Sequence, residues 1–215
     1  MIRVFKLIFF SFYFSNLFPS DFNESLFNAS EKGNLEKVKQ AILNSANINY
    51  QSEENGNATP LMIASEKGNI EIVKFLLSKN AKLSLVDNEN HHALMYAVKG
   101  GNFKIVKILI SNKTEVNHVG EDGWTPLLEA ANNGYVDIVR YLIKNNANVN
   151  EVNSYDESAL ILATRNAHIQ TLKILLNSGA DIEQRNAENK TSYKIAEEMK
   201  NKEIMRLLKK FENKR

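Results

Sequence analysis

Cysteine is absent from the 215-residue chain. Its absence excludes a disulfide framework, a zinc ribbon, a thiol nucleophile and lipid attachment through an N-terminal cysteine. Proline is scarce at three residues and tryptophan occurs once, and no low-complexity tract breaks the chain. An excess of charge is missing too. There are 27 Lys and Arg against 25 Asp and Glu, and setting aside Arg3 and Lys6 of the N-terminal segment leaves 25 (27−2) against 25. So balanced a chain offers no electrostatic footprint for a phosphate backbone, and no nucleic-acid partner is expected. The basic residues of 200–215 are interrupted by Glu203 and Glu212 and suit a solvated helix face. The sequence also has no Gly-x-Ser-x-Gly elbow, no glycine loop ending in Gly-Lys-Ser/Thr and no His-Glu-x-x-His.

What is present is a fixed interval. Leu61, Leu94, Leu127 and Leu160 stand 33 apart (94−61, 127−94, 160−127), as do Ala64, Ala97, Ala130, Ala163 and Ala196. Gly68, Gly101 and Gly134 keep the same register, as do Val73, Val106 and Val139, then Leu76, Leu109, Leu142 and Leu175. Each column has a physical reason. Thr59-Pro60 and Thr125-Pro126 put a side-chain oxygen at a helix N-cap and a ring of preset φ at the first helical position. Alanine keeps adjacent helices close, where a larger side chain would push them apart. Glycine lets the chain reverse through positive φ at the helix end. Ala167 breaks that column, which predicts local strain of about 1 kcal/mol. Ile72, Val73, Leu76 and Leu77 share one helical face and recur as Ile105, Val106, Leu109 and Ile110.

Residues 120–150, GEDGWTPLLEAANNGYVDIVRYLIKNNANVN, resemble one complete ankyrin repeat, and the 33-residue interval is that family's. The resemblance implies an all-α solenoid of helix-turn-helix pairs joined by β-hairpin-like fingers. It divides the chain into an N-terminal capping repeat (21–53), four repeats in register (54–86, 87–119, 120–152, 153–185) and a C-terminal capping repeat (186–215). The step from Leu26 to Leu61 is 35 (61−26), which predicts a lengthened finger at 51–57.

Residues 1–20 differ in kind. Arg3 and Lys6 precede an uncharged run at 7–19, LIFFSFYFSNLFP, and Ser20-Asp21 returns to polar sequence. A positive start, a short apolar core and a polar exit read as a secretory signal peptide. The run is shorter than the roughly 18 residues of a spanning helix. A small-x-small cleavage pair is missing, so an uncleaved N-terminal anchor stays open beside cleavage near Ser15 or Ser20. With the asparagine, lysine and isoleucine usage, the segment predicts export to a bacterial periplasm or cell envelope; inner-membrane anchoring or secretion is the alternative.

Repeats and signal leave no stretch of domain size for a catalytic fold. The family resemblance implies a protein that binds another protein through a concave surface of finger tips and first helices. Carried onto this sequence, the finger positions are Asn88, Glu89 and His91, then Glu121, Asp122 and Trp124, then Ser154, Tyr155 and Glu157. The first-helix positions are Glu66, Lys67, Lys99, Asn132, Asn133 and Arg165. Of these, Glu89, His91, Lys99, Asp122, Trp124, Asn132, Tyr155, Glu157 and Arg165 are the candidate contacts. Trp124, Tyr155 and Arg165 lead, because Trp, Tyr and Arg dominate binding energy at interfaces; Trp124 also suits a structural role covering the neighbouring finger. His91-His92 is the only pair that suggests metal or enzymatic chemistry, but neighbours in an extended finger point to opposite sides. His92 stands where the turn threonine belongs and suits a structural hydrogen bond, while His118 and His168 stand alone. The expectation is therefore a monomeric protein with a protein partner. It has no cofactor, metal or small-molecule substrate, and meets a membrane only if its N-terminal segment stays uncleaved. A membrane-anchored scaffold or a secreted effector binding a host protein is the alternative.

Overall fold

A computed structural model describes residues 19–212. Of the segment expected to act as a secretory signal it therefore covers only Pro19 and Ser20, which open the first helix; the rest of 1–20 lies outside the described residues. Twelve α-helices follow in six antiparallel pairs: α1 (Pro19–Glu31) with α2 (Leu35–Leu43), α3 (Pro60–Glu66) with α4 (Ile70–Ser78), α5 (Ala93–Lys99) with α6 (Phe103–Ser111), α7 (Pro126–Asn132) with α8 (Val136–Lys144), α9 (Ala159–Arg165) with α10 (Ile169–Asn177), and α11 (Ser192–Glu198) with α12 (Lys202–Glu212). No extended sheet is formed among the described residues. The fingers contribute only isolated bridges, Ser52 with Ala58, Val152 with Ser158 and Arg185 with Thr191. The fold is all-α, a stack in which first helices pack on first helices and second on second. None of the described helices is long and apolar enough to cross a membrane.

The columns become the core. The alanines at 64, 97, 130, 163 and 196 are each 0% exposed, since the first helices of successive repeats meet there. Val73, Val106, Val139, Leu76, Leu109, Leu142 and Leu175 line the buried face of the second helices. Thr59, Thr125, Ser158 and Thr191 accept a hydrogen bond from the backbone N–H three residues on, at Met62, Leu128, Ile161 and Lys194. Each satisfies one of the donors a helix start leaves orphaned. His92 occupies the same position without capping its helix through the side chain. Its Nε2 lies 2.9 Å from the Glu115 carbonyl.

A second column ties the repeats together. Asn69 Nδ2 donates to Ser30 O and Glu31 O at 2.7 and 3.2 Å. Asn102 Nδ2 donates to Ser65 O and Glu66 O at 2.8 and 2.6 Å. His168 Nε2 sits 3.0 Å from Asn132 O. Each side chain reaches carbonyls that the end of the preceding first helix leaves without intrahelical partners. The close approach also explains the glycines: at Gly134, φ is +68° and an added Cβ would lie 2.5 Å from His168 Nδ1. Ala167 adopts φ +55°, the left-handed strain its place in the column predicts. The residue that follows His168 in the ladder register, Asn201, instead turns its side chain back to accept from Ile204 N.

Two sequence expectations are corrected. His118 does not stand alone: its ring lies 4.4 Å from that of His92, and its Nε2 is 2.7 Å from Asn90 O. His168 belongs to the inter-repeat ladder.

Candidate functional site

Each finger closes on a short backbone bond: Asp87 N to His91 O, Gly120 N to Trp124 O, Asn153 N to Glu157 O and Asn186 N to Lys190 O. The first finger spans Ser52 N to Ala58 O instead, so the two additional residues lie within it. The tips then bond to one another. Asn88 N donates to Gly56 O, Glu121 N to Glu89 O, Ser154 N to Asp122 O and Ala187 N to Tyr155 O, at 2.7 to 3.0 Å. Main-chain bonds thus set a row of tips beside the first helices, helped at the first step by Asn57 Nδ2 donating to Asn88 Oδ1, with the side chains of Glu89, Asp122 and Tyr155 exposed above it.

Three of the fingers share a further brace. Asp87, Asn153 and Asn186 each accept two backbone N–H groups of their own finger through Oδ1. The finger between the first two carries Gly120 in that place. An added Cβ there would meet His91 Cδ2 at 2.4 Å and the Met95 methyl at 2.7 Å, so the missing side chain is what admits the histidine. A hollow of about 240 Å³ opens beside it, lined by His91, Met95, Tyr96, Lys99, Glu121, Asp122, Trp124 and Glu129. Trp124 is half-buried and packs on the core with one side, so its ring both covers the finger and walls the hollow. The Tyr96 hydroxyl donates to Asp87 Oδ2 at 2.7 Å; burial, then that carboxylate, push its ionisation far above the usual phenol range.

Further along the groove, Arg165 forms an ion pair with Glu157. Glu157 is 9% exposed, which corrects its reading as an open finger contact: it anchors the arginine instead. Two adjoining hollows share Arg165 and Glu188, one of about 350 Å³ beneath Tyr155 and one of about 360 Å³ reaching Lys190, Ile195, Glu198 and Met199. Tyr155 is 57% and Met199 42% exposed, two large apolar side chains left open to solvent. Lys190 lies 2.8 Å from Glu188 and 2.9 Å from Glu198, and those bonds raise its ionisation, Glu188 first. Asn132 is drawn into the scaffold, since Asn166 Nδ2 donates to its side chain and the His168 ring meets its carbonyl.

The histidine pair separates. His92 is 2% exposed; burial pushes its imidazole down to about 4, outweighing the Glu115 carbonyl, and His118 lowers it further. His91 instead meets Glu89 Oε2 at 3.3 Å and Asp87 Oδ2 at 3.9 Å. Asp87, Glu89 and His91 offer ligand atoms within 4.8 Å of one another, a trio that attention to His91-His92 missed. Both Asp87 oxygens are already committed, to the two finger N–H groups and to Tyr96. The trio thus braces the finger, and a cation on Asp87 Oδ2 would share that oxygen with the Tyr96 hydroxyl. Met95, Tyr96 and Glu129 were also missed as groove residues. Tyr96 and Glu129 precede Lys99 and Asn132 by three positions, so the i, i+3 rule of a helix face was the signal that could have found them.

Comparison with known proteins agrees with this architecture. The family model described as ankyrin repeats (three copies) matches residues 26–119 and 112–186. Among similar solved structures is the complex of the Bd0816 predatory endopeptidase from Bdellovibrio bacteriovorus with immunity protein Bd3460. The match is 32% identical, with a TM-score of 0.79, over 86% of this chain and 97% of the other. No curated protein sequence matches the chain.

Proposed function

Because this chain belongs to the ankyrin-repeat family, we propose that it is a non-enzymatic binding protein, exported to the cell envelope, that holds a protein partner in the groove between its fingers and first helices. The observation that carries the reading is the row of tips joined by main-chain hydrogen bonds. That row leaves Glu89, Asp122 and Tyr155 exposed above three hollows walled by Lys99, Trp124 and Arg165. Aromatic and arginine side chains beside open apolar surface suit an interface. The solved relative, an immunity protein in complex with an endopeptidase, favours an exported hydrolase as the class of partner. Export rests on the composition of 1–20.

The test is capture from the native envelope fraction, comparing the wild-type repeats with a Trp124→Ala, Tyr155→Ala, Arg165→Ala variant shown by circular dichroism to be folded. One envelope protein, a hydrolase by sequence, is expected with wild type and at least about tenfold less with the variant. Equal recovery with both would remove the groove from the interface. Fractionation reads the compartment: release by osmotic shock supports a cleaved signal, and retention in membranes supports the anchored alternative.

A further inference from the structure

We infer that the hollow between the fingers at 87–91 and 120–124 takes an arginine side chain of the partner, an inference that rests on the groove being the partner site. Its walls gather three carboxylates around one opening. Elsewhere on the repeats several acidic side chains meet cations, Glu36 with Lys39, Glu71 with Lys74, Glu157 with Arg165, and Glu188 and Glu198 with Lys190. Glu121, Asp122 and Glu129 all line this hollow, and none of the three has an ion-pair partner among the described residues. Glu129 has only a hydrogen bond from the Asn133 amide, at 2.8 Å. Lys99 is the one ammonium in the same wall, so negative charge stays in excess by two (three carboxylates less one ammonium). Trp124 and Tyr96 add aromatic faces beside those carboxylates.

Carboxylates beside aromatic faces select a particular cation. A guanidinium is planar, weakly hydrated and able to stack on a ring while its N–H fork meets carboxylates; a hydrated metal ion gains nothing from the rings. At about 240 Å³, the hollow falls below the roughly 300–1,000 Å³ usual for small-molecule pockets. It fits one long side chain entering from a partner's surface. Arginine in the hollow would be desolvated against Trp124 and paired with Glu121 and Glu129, the combination found at interface anchors.

Trp124 is the chain's only tryptophan, so its emission reads the hollow directly. Titration of the full chain with a capped Gly-Arg-Gly-Arg-Gly peptide should give a saturable change in emission. The apparent affinity should fall at least about fivefold as salt rises from about 50 to about 300 mM, and at least about tenfold in a Glu121→Gln, Glu129→Gln variant with an unchanged urea midpoint. The inference is overturned by no saturation up to about 10 mM peptide, by an equal response to the matching glutamine or lysine peptide, or by full affinity in the double variant. Partner capture separates this failure from that of the groove. If the glutamine variant holds the partner fully while the triple alanine variant loses it, only the arginine assignment falls; if both hold it, the groove itself is wrong.

Discussion

His92 stands where Thr59, Thr125 and Thr191 cap their helices, yet its ring turns into the core toward the Glu115 carbonyl and the His118 ring, leaving Nδ1 without a partner. Burial holds the imidazole neutral, at about 4 against an ordinary 6.5. Between those values the unfolded chain binds a proton that the folded chain does not. Stability from this residue is therefore complete above the unfolded value of 6.5 and falls as pH drops toward the folded one, by an amount on the order of 3 kcal/mol. Urea midpoints taken at about pH 7.5 and about pH 4.5 should fall much more for the wild type than for His92→Thr. Equal falls would mean that the imidazole is not the group being charged. Threonine should also restore the missing cap, worth about 0.5–2 kcal/mol at neutral pH. From sequence, the position of His92 in the threonine column was legible, and so was a structural hydrogen bond. The buried pair with His118 was not, because the two residues stand at opposite ends of one repeat, at positions that no column relates. Glu157 shows the same limit: its place on a finger suggests exposure, and only the fold shows Arg165 closing over it.

Within each repeat the two helices were legible because apolar columns recur at a fixed interval, and burial demands the same chemistry at each turn of the stack. The inter-repeat ladder keeps the interval but changes its chemistry, from Asn69 and Asn102 through Tyr135 to His168. Asparagine and histidine can both reach the carbonyls at a helix end, so the column preserves reach rather than residue type and does not stand out as a pattern. Asn102→Ala removes two hydrogen bonds to Ser65 and Glu66. Two part-buried carbonyls then lose their partner, and the expected cost is about 1–3 kcal/mol. Hydrogen exchange should locate the loss at the α3–α5 junction; protection unchanged there, with an unchanged urea midpoint, would show that water replaces the amide at no cost. The groove was only partly legible for a related reason. Lys99 and Arg165 stand in a polar column with Glu66, Asn132 and Glu198, and Trp124 and Tyr155 are aromatics in finger columns that otherwise hold mostly polar residues, whereas Tyr96 and Glu129 occupy a column shared with Ile63, Leu162 and Ile195 and read as core.

Across the whole molecule, the repeats touch mainly their neighbours, so stability is a sum of units and junctions rather than of one core. Leu127 is 2% exposed in the fourth of six repeats. Leu127→Ala should cost about 2–5 kcal/mol and uncouple the halves on either side. Urea unfolding followed by circular dichroism and by Trp124 emission would then give two separate midpoints. A single sharp and unshifted transition would remove Leu127 from that junction. The tip row has a different consequence. Its tip-to-tip bonds from Asn88 N on Gly56 O to Ala187 N on Tyr155 O join backbone atoms, and so do not depend on which side chains stand at 89 and 155. Substitutions there can accumulate while the tips keep their spacing, and a descendant of this chain could exchange one partner for another without first passing through a poorly folded ancestor.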